Sequence, residues 1–105
     1  MEGIELTSFQ IISAVGSARS YYIEAIRQAR EGNFEQAEEL LERGKRDFAE
    51  GHSAHAELLQ REASGDPVGF RLILMHAEDQ LMSAEQFGIL AVEFIETYKL
   101  IREKG

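Results

Sequence analysis

Five polar side chains that can bind or transfer a group interrupt one apolar run: Leu74-Met75-His76-Ala77-Glu78-Asp79-Gln80-Leu81-Met82-Ser83. On a helix, His76 and Asp79 stand three apart and share a face. Three chemistries fit the pair. In the first, a core histidine is satisfied by a neighbouring carboxylate, because buried ionisable groups are costly unless paired. In the second, both are ligands of a catalytic metal, which needs three or four converging ligands, and HExxH spacing is absent. In the third, His76 is a nucleophile: neutral imidazole accepts a phosphoryl group near pH 7, and the resulting phosphoramidate is a good donor. Spacing alone leaves all three open.

Other candidates are weaker. His52 and His55 fall on a helical stretch where a histidine is most often a surface residue. Arg19, Arg71 and Gly44-Lys45-Arg46 can touch phosphate or a partner, although solvated charge explains them better. P-loop, GxGxxG and Ser-His-Asp patterns are missing. With no cysteine, thiolate zinc ligands, disulfides and a cysteine nucleophile are excluded. The 19 Asp and Glu outnumber the 11 Lys and Arg, for a formal net charge of −8. No basic stripe offers nucleic acid a footprint, and the acidity suits solubility or a basic docking partner instead. The opening Met1-Glu2-Gly3-Ile4-Glu5 is acidic where a signal peptide is basic, and no transmembrane run is present. The expectation is a cytoplasmic protein without direct membrane insertion.

The elements that position these residues are helices. The 105 residues suffice for one domain, 1–105. Strong punctuation falls at Glu31-Gly32-Asn33 and at Ser64-Gly65-Asp66-Pro67, and between these the apolar residues recur at three and four. Helix one is expected over about 8–31, capped by Thr7 or Ser8 and ended by Gly32. Helix two is expected over about 33–63, with Asn33 as cap and acidic residues near the positive end of the helix dipole. Gly44 and Gly51 interrupt it one heptad apart, a spacing that lets a neighbouring helix come close. Helix three is expected over about 67–103, with Asp66 capping and Pro67 at the first helical position. Short loops make neighbours antiparallel, giving an all-α, up-down-up three-helix bundle.

Helix three is apolar on more than one side. Phe70, Leu74, Ala77, Leu81 and Ala84 form one seam, while Leu72, Met75, Met82 and Ile89 fall on another. One bundle cannot cover both, so the helix is expected to meet copies of itself in an oligomer.

Leu72-Ile73-Leu74-Met75-His76-Ala77-Glu78-Asp79-Gln80-Leu81-Met82-Ser83-Ala84 resembles the phosphorylation segment of the lactose/cellobiose-type (also diacetylchitobiose) enzyme IIA of the bacterial phosphoenolpyruvate:sugar phosphotransferase system. The likeness extends along nearly the whole chain. Phe9-Gln10-Ile11-Ile12-Ser13, Gly16 and Ala18-Arg19-Ser20 are similar to the family's first helix. Glu31-Gly32-Asn33-Phe34-Glu35-Gln36-Ala37 is similar to its first turn, and His52 with Glu57-Leu58-Leu59-Gln60 to its second helix. The resemblance implies a phosphotransferase component that forms a phosphohistidine at His76. The donor it implies is the phosphocarrier HPr, the acceptor a cysteine of the cognate IIB component, which phosphorylates a β-linked disaccharide. It implies a homotrimer with Asp79 at the threefold axis around a divalent cation, usually magnesium. Three carboxylates converging without a cation would repel, and oxygen-only ligation suits a hard ion. The family commonly has glutamine where Glu78 stands and histidine where Gln80 stands; both are kept as accessory positions, and His52, which matches a family position, as an accessory beside His76. Glu78 faces outward, orients His76 or changes the donor preference, and the sequence does not choose.

Two other classes compete. Gly32-Asn33-Phe34-Glu35-Gln36-Ala37-Glu38-Glu39-Leu40-Leu41 resembles part of a tetratricopeptide repeat, which would make the chain a helical protein-interaction module without phosphotransfer. That reading expects further copies about 34 residues apart, and none follows. The other is a structural bundle in which His76 and Asp79 form a buried ion pair.

Overall fold

Glycines at positive φ break the chain where helices must stop. Gly32, at φ 87°, ends the first helix, and Gly65, at φ 93°, the second. The computed structural model describes residues 3–105, which form α1 (Gly3–Arg30), α2 (Phe34–Ala63) and α3 (Leu72–Lys104). No strand occurs among the described residues. Met1 and Glu2 of the acidic start lie outside them.

Helix starts depart from expectation at both α1 and α3. The first helix begins at Gly3 rather than near Ser8, and Thr7 and Ser8 do not cap it. Their hydroxyls instead donate to carbonyls one turn back, Thr7 Oγ1 to Gly3 O at 3.1 Å and Ser8 Oγ to Ile4 O at 2.7 Å. Pro67 does not open α3, which starts at Leu72. Val68 turns into the core, Gly69 takes φ 81°, and Arg71 is extended at φ −143°, ψ 138°, so no helical turn can form before Leu72. Asp66 caps nothing, because its Oδ2 accepts a hydrogen bond from Arg61 Nε at 2.8 Å. Asn33 does precede α2, but its amide donates to Gln28 Oε1 at 2.9 Å rather than capping.

The first helix packs along both others, while α2 and α3 meet over a shorter face. Near one end the core joins Ile11, Val15, Leu58, Leu74, Ala77 and Leu81. Near the other, Ala18, Tyr22, Ala25, Leu41, Ala91 and Ile95 pack together. On α2, Leu40 and Leu58 face inward, whereas Ala56 and Leu59 face solvent. The spaced glycines of α2 mark the close approach of α1. A Cβ on Gly44 would lie 2.6 Å from Tyr22 Cε1, and one on Gly51 would lie 2.6 Å from Val15 Cγ1. Gly88 of α3 meets the opposite side of the same ring, where a Cβ would lie 2.9 Å from Tyr22 Cζ. The Tyr22 side chain is therefore wedged between two backbones and cannot retreat from either. Burial, with Asp47 and Glu42 adding repulsion, pushes its hydroxyl above the usual tyrosine value, so the phenol stays neutral in the fold. At the far end, Lys99 Nζ donates to Glu38 Oε1 at 3.1 Å and Arg102 Nη2 to Arg30 O at 3.2 Å.

One substitution type should therefore act in opposite directions at different helix positions. Gly44→Ala should cost about 1–3 kcal/mol by overpacking against Tyr22. Gly16→Ala, where a Cβ meets nothing within 4 Å, should stabilise by roughly 0.5–1 kcal/mol. Urea denaturation of the two variants measures both signs.

Candidate functional site

The apolar seam of α3 that faces the core is Leu74, Ala77, Leu81 and Ala84, all buried. Phe70, expected in that seam, lies before the helix and is exposed. His76 and Asp79 lie off the seam, and both are exposed in the single chain. No hydrogen bond or ion pair joins them among the described residues. The buried His–Asp pair considered from the sequence is thus not what one chain builds. The second apolar set also points outward, with Leu72 at 72 %, Met75 at 47 %, Met82 at 60 % and Ile89 at 55 % exposure. Asp79 sits within this open face, one helical turn from both Met75 and Met82.

The polar residues around His76 have separate partners. Gln80, one turn further along α3, accepts a hydrogen bond at its Oε1 from Arg19 Nη1 of α1 at 2.8 Å. Glu78 is two residues from His76 and so falls on a different side of the helix. There its Oε2 pairs with His55 Nε2 of α2 at 2.7 Å. Of the sequence alternatives for Glu78, a role orienting His76 gains no contact, and the carboxylate turns towards α2. His52, singled out as the accessory, is exposed and tilts against Phe48 with ring centroids 5.9 Å apart. His55 is the histidine that reaches α3. Helical register carried the signal, since His55 lies four after buried Gly51 and three before buried Leu58.

A groove of about 250 Å³ lies beside this pair, walled by Leu58, Val68, Arg71, Leu74 and Met75. No group of three or more His, Cys, Asp or Glu within one chain is arranged to hold a metal among the described residues. Asp79 by itself offers one carboxylate. What remains at His76 is an accessible imidazole with no carboxylate hydrogen-bonded to it among the described residues, one helical turn from a glutamine that holds Arg19. That arrangement suits a nucleophile that must meet large partners.

Comparison with known proteins agrees in sequence and shape. The family model for "PTS system, Lactose/Cellobiose specific IIA subunit" matches residues 6–99. A lactose-specific EIIA component from Staphylococcus aureus is 37% identical over 98 residues, covering 93% of this chain and 95% of the relative. A lichenan-specific phosphotransferase enzyme IIA component from Bacillus subtilis is 37% identical over 103 residues, covering 98% and 94%. The crystal structure of the cellobiose-specific enzyme IIA from Bacillus anthracis superposes with a TM-score of 0.94 at 37% identity, covering 100% of this chain and 97% of that one. Among the described residues, no helix is long and apolar enough to cross a membrane.

Double-mutant cycles separate the two histidine–carboxylate pairs. His55 and Glu78 should couple by about 0.5–1 kcal/mol, as a partly exposed hydrogen-bonded pair does. His76 and Asp79 should couple by less than about 0.3 kcal/mol. Chemical denaturation of the single and double alanine variants supplies both values.

Proposed function

Because the chain belongs to the lactose/cellobiose-specific IIA family of the phosphoenolpyruvate:sugar phosphotransferase system, we propose that His76 is its phosphoryl carrier. The observation that carries this reading is the exposure of His76 on α3 with no carboxylate bonded to its ring among the described residues. A phosphocarrier histidine must be reached by two different proteins in turn, and a buried imidazole could meet neither. Phospho-HPr is the donor and a cysteine of the cognate IIB component the acceptor. The sugar served is a β-linked disaccharide, recognised by the membrane component. Phosphoenolpyruvate and its carriers act in the cytoplasm, which is the compartment this role requires.

The transfer asks little of the chain beyond presentation. The unprotonated ring nitrogen of His76 attacks phosphorus as the bond to the donor breaks, and the donor leaves with that bond's electron pair. The resulting P–N bond is broken in turn when the IIB thiolate attacks. Each time, α3 supplies a rigid backbone under the imidazole, and α1 supplies polar support through Gln80.

The assembly is a homotrimer of up-down-up bundles. The contacts Gly44–Tyr22 and Gly51–Val15 support opposite directions for α1 and α2, and Gln80–Arg19 with Gly88–Tyr22 a common direction for α1 and α3. The open apolar face of Leu72, Met75, Met82 and Ile89 supports association through α3. Asp79 lies in that face, so three copies would hold Mg²⁺ through oxygen alone. The cation would offset their mutual repulsion.

Incubation with phosphoenolpyruvate, enzyme I and HPr should add one acid-labile phosphate to the intact mass, and His76→Ala should abolish it. No mass gain with competent donors would sink the carrier reading and favour an interaction module. Asp79→Leu should keep or strengthen the trimer while removing bound metal, read by light scattering and elemental analysis. Dissociation to monomers would contradict an axial carboxylate cluster.

A further inference from the structure

Arg19 differs from the paired cations of this acidic chain. Arg27, Arg43, Lys45, Arg61 and Lys99 each lie within salt-bridge distance of a carboxylate. Arg19 is half-buried, and its recorded partner is a neutral amide, Gln80 Oε1, at 2.8 Å. No carboxylate pairs with it among the described residues, although the net charge is −8. The amide fixes the guanidinium in place and leaves its charge uncompensated.

Position gives this charge a use. Gln80 is four residues beyond His76, so the two share one side of α3, and Arg19 is tied to that side. One N–H of Arg19 is committed to Gln80. A guanidinium has five in a planar fork, and the remainder match phosphoryl oxygens. On the other side of the helix, Glu78 is drawn to His55. A cation is thus tied to the side of α3 that His76 shares, while Glu78, two residues along, pairs with α2.

We propose that Arg19 binds the phosphoryl group carried by His76, with Gln80 as the positioning residue that holds the guanidinium within reach. This rests on the reading of His76 as the carrier. When the ring nitrogen forms its bond to phosphorus and the donor departs with the electron pair of the broken bond, the site gains close to two negative charges. Arg19 meets that charge, and the onward transfer releases it. Arginine serves here better than lysine because the fork can keep Gln80 while engaging two phosphoryl oxygens.

The test follows phosphorylation of the full chain by phosphoenolpyruvate, enzyme I and HPr, with intact mass for rate and ³¹P NMR for the phosphohistidine. Arg19→Ala and Arg19→Gln should both slow uptake on the order of tenfold or more and shift the ³¹P resonance, as expected for loss of a charge-assisted contact. Arg19→Lys should recover part of the rate, and Gln80→Ala should fall between Arg19→Ala and wild type. Circular dichroism checks folding. Arg19→Gln keeps a donor for Gln80 without the charge, so it remains informative if Arg19→Ala unfolds. Wild-type rate and an unmoved resonance in Arg19→Gln would overturn the proposal and leave Arg19 a tie between helices. Failure of the wild-type chain to take up phosphate would instead overturn the carrier reading.

Discussion

The ring of Tyr22 is gripped by two backbones at once, Gly44 of α2 on one side and Gly88 of α3 on the other. With the ring only 3 % exposed, each helix approaches α1 as closely as a missing side chain allows. Small residues extend the same close packing along α1, where Ala18, Ala25 and Ala29 are fully buried. The wedge fixes helix register. Once Tyr22 lies against Gly88, Arg19 falls one turn before it, and Gln80 two turns before Gly88, where the two hydrogen-bond. His76 inherits its place from that register: it is one further turn along α3, off the core seam and open to solvent.

Three sides of α3 are then given different work. One side fills the bundle with Leu74, Ala77, Leu81 and Ala84. A second carries Glu78 to His55 and closes the groove at the end of α2. The third is apolar and uncovered in one chain, interrupted by the carboxylate of Asp79. His76 stands at the border between this open face and the side held by Arg19 and Gln80. The proposed carrier thus stands where partners can reach it, with a cation tied to the neighbouring side of the helix. The separation matters: Glu78 is near in sequence but is held on another side of the helix by its 2.7 Å contact with His55.

Much of this was legible in the residues. The periodicity of α1 and α2, the turn at Gly32 and the close approach at Gly44 and Gly51 all follow from spacing and from what glycine permits. The two-sided apolar pattern of α3 was also readable, because a long helix with two stripes has to present one of them outside its own bundle. Other features were hidden for physical reasons. Pro67 fits a helix start, but Val68 is pulled into the core and Gly69 breaks the geometry, a tertiary effect that local propensity does not contain. Thr7 and Ser8 carry good capping side chains and sit inside the helix regardless. The choice between His52 and His55 depended on which side of α2 turned inward, and the partner of Arg19 on a contact 61 residues away in sequence. Family resemblance pointed to His76; the geometry around it came only with the packed structure.

Residue-resolved mapping of the phosphate most directly tests whether this packing presents one histidine for transfer. After phosphorylation by phosphoenolpyruvate, enzyme I and HPr, mass spectrometry of peptides prepared at neutral to alkaline pH distinguishes His52, His55 and His76. The account predicts phosphate on His76 alone, lost when a competent IIB component is added. Phosphate on His52 or His55, or a His76 phosphate that no IIB component can remove, would contradict it.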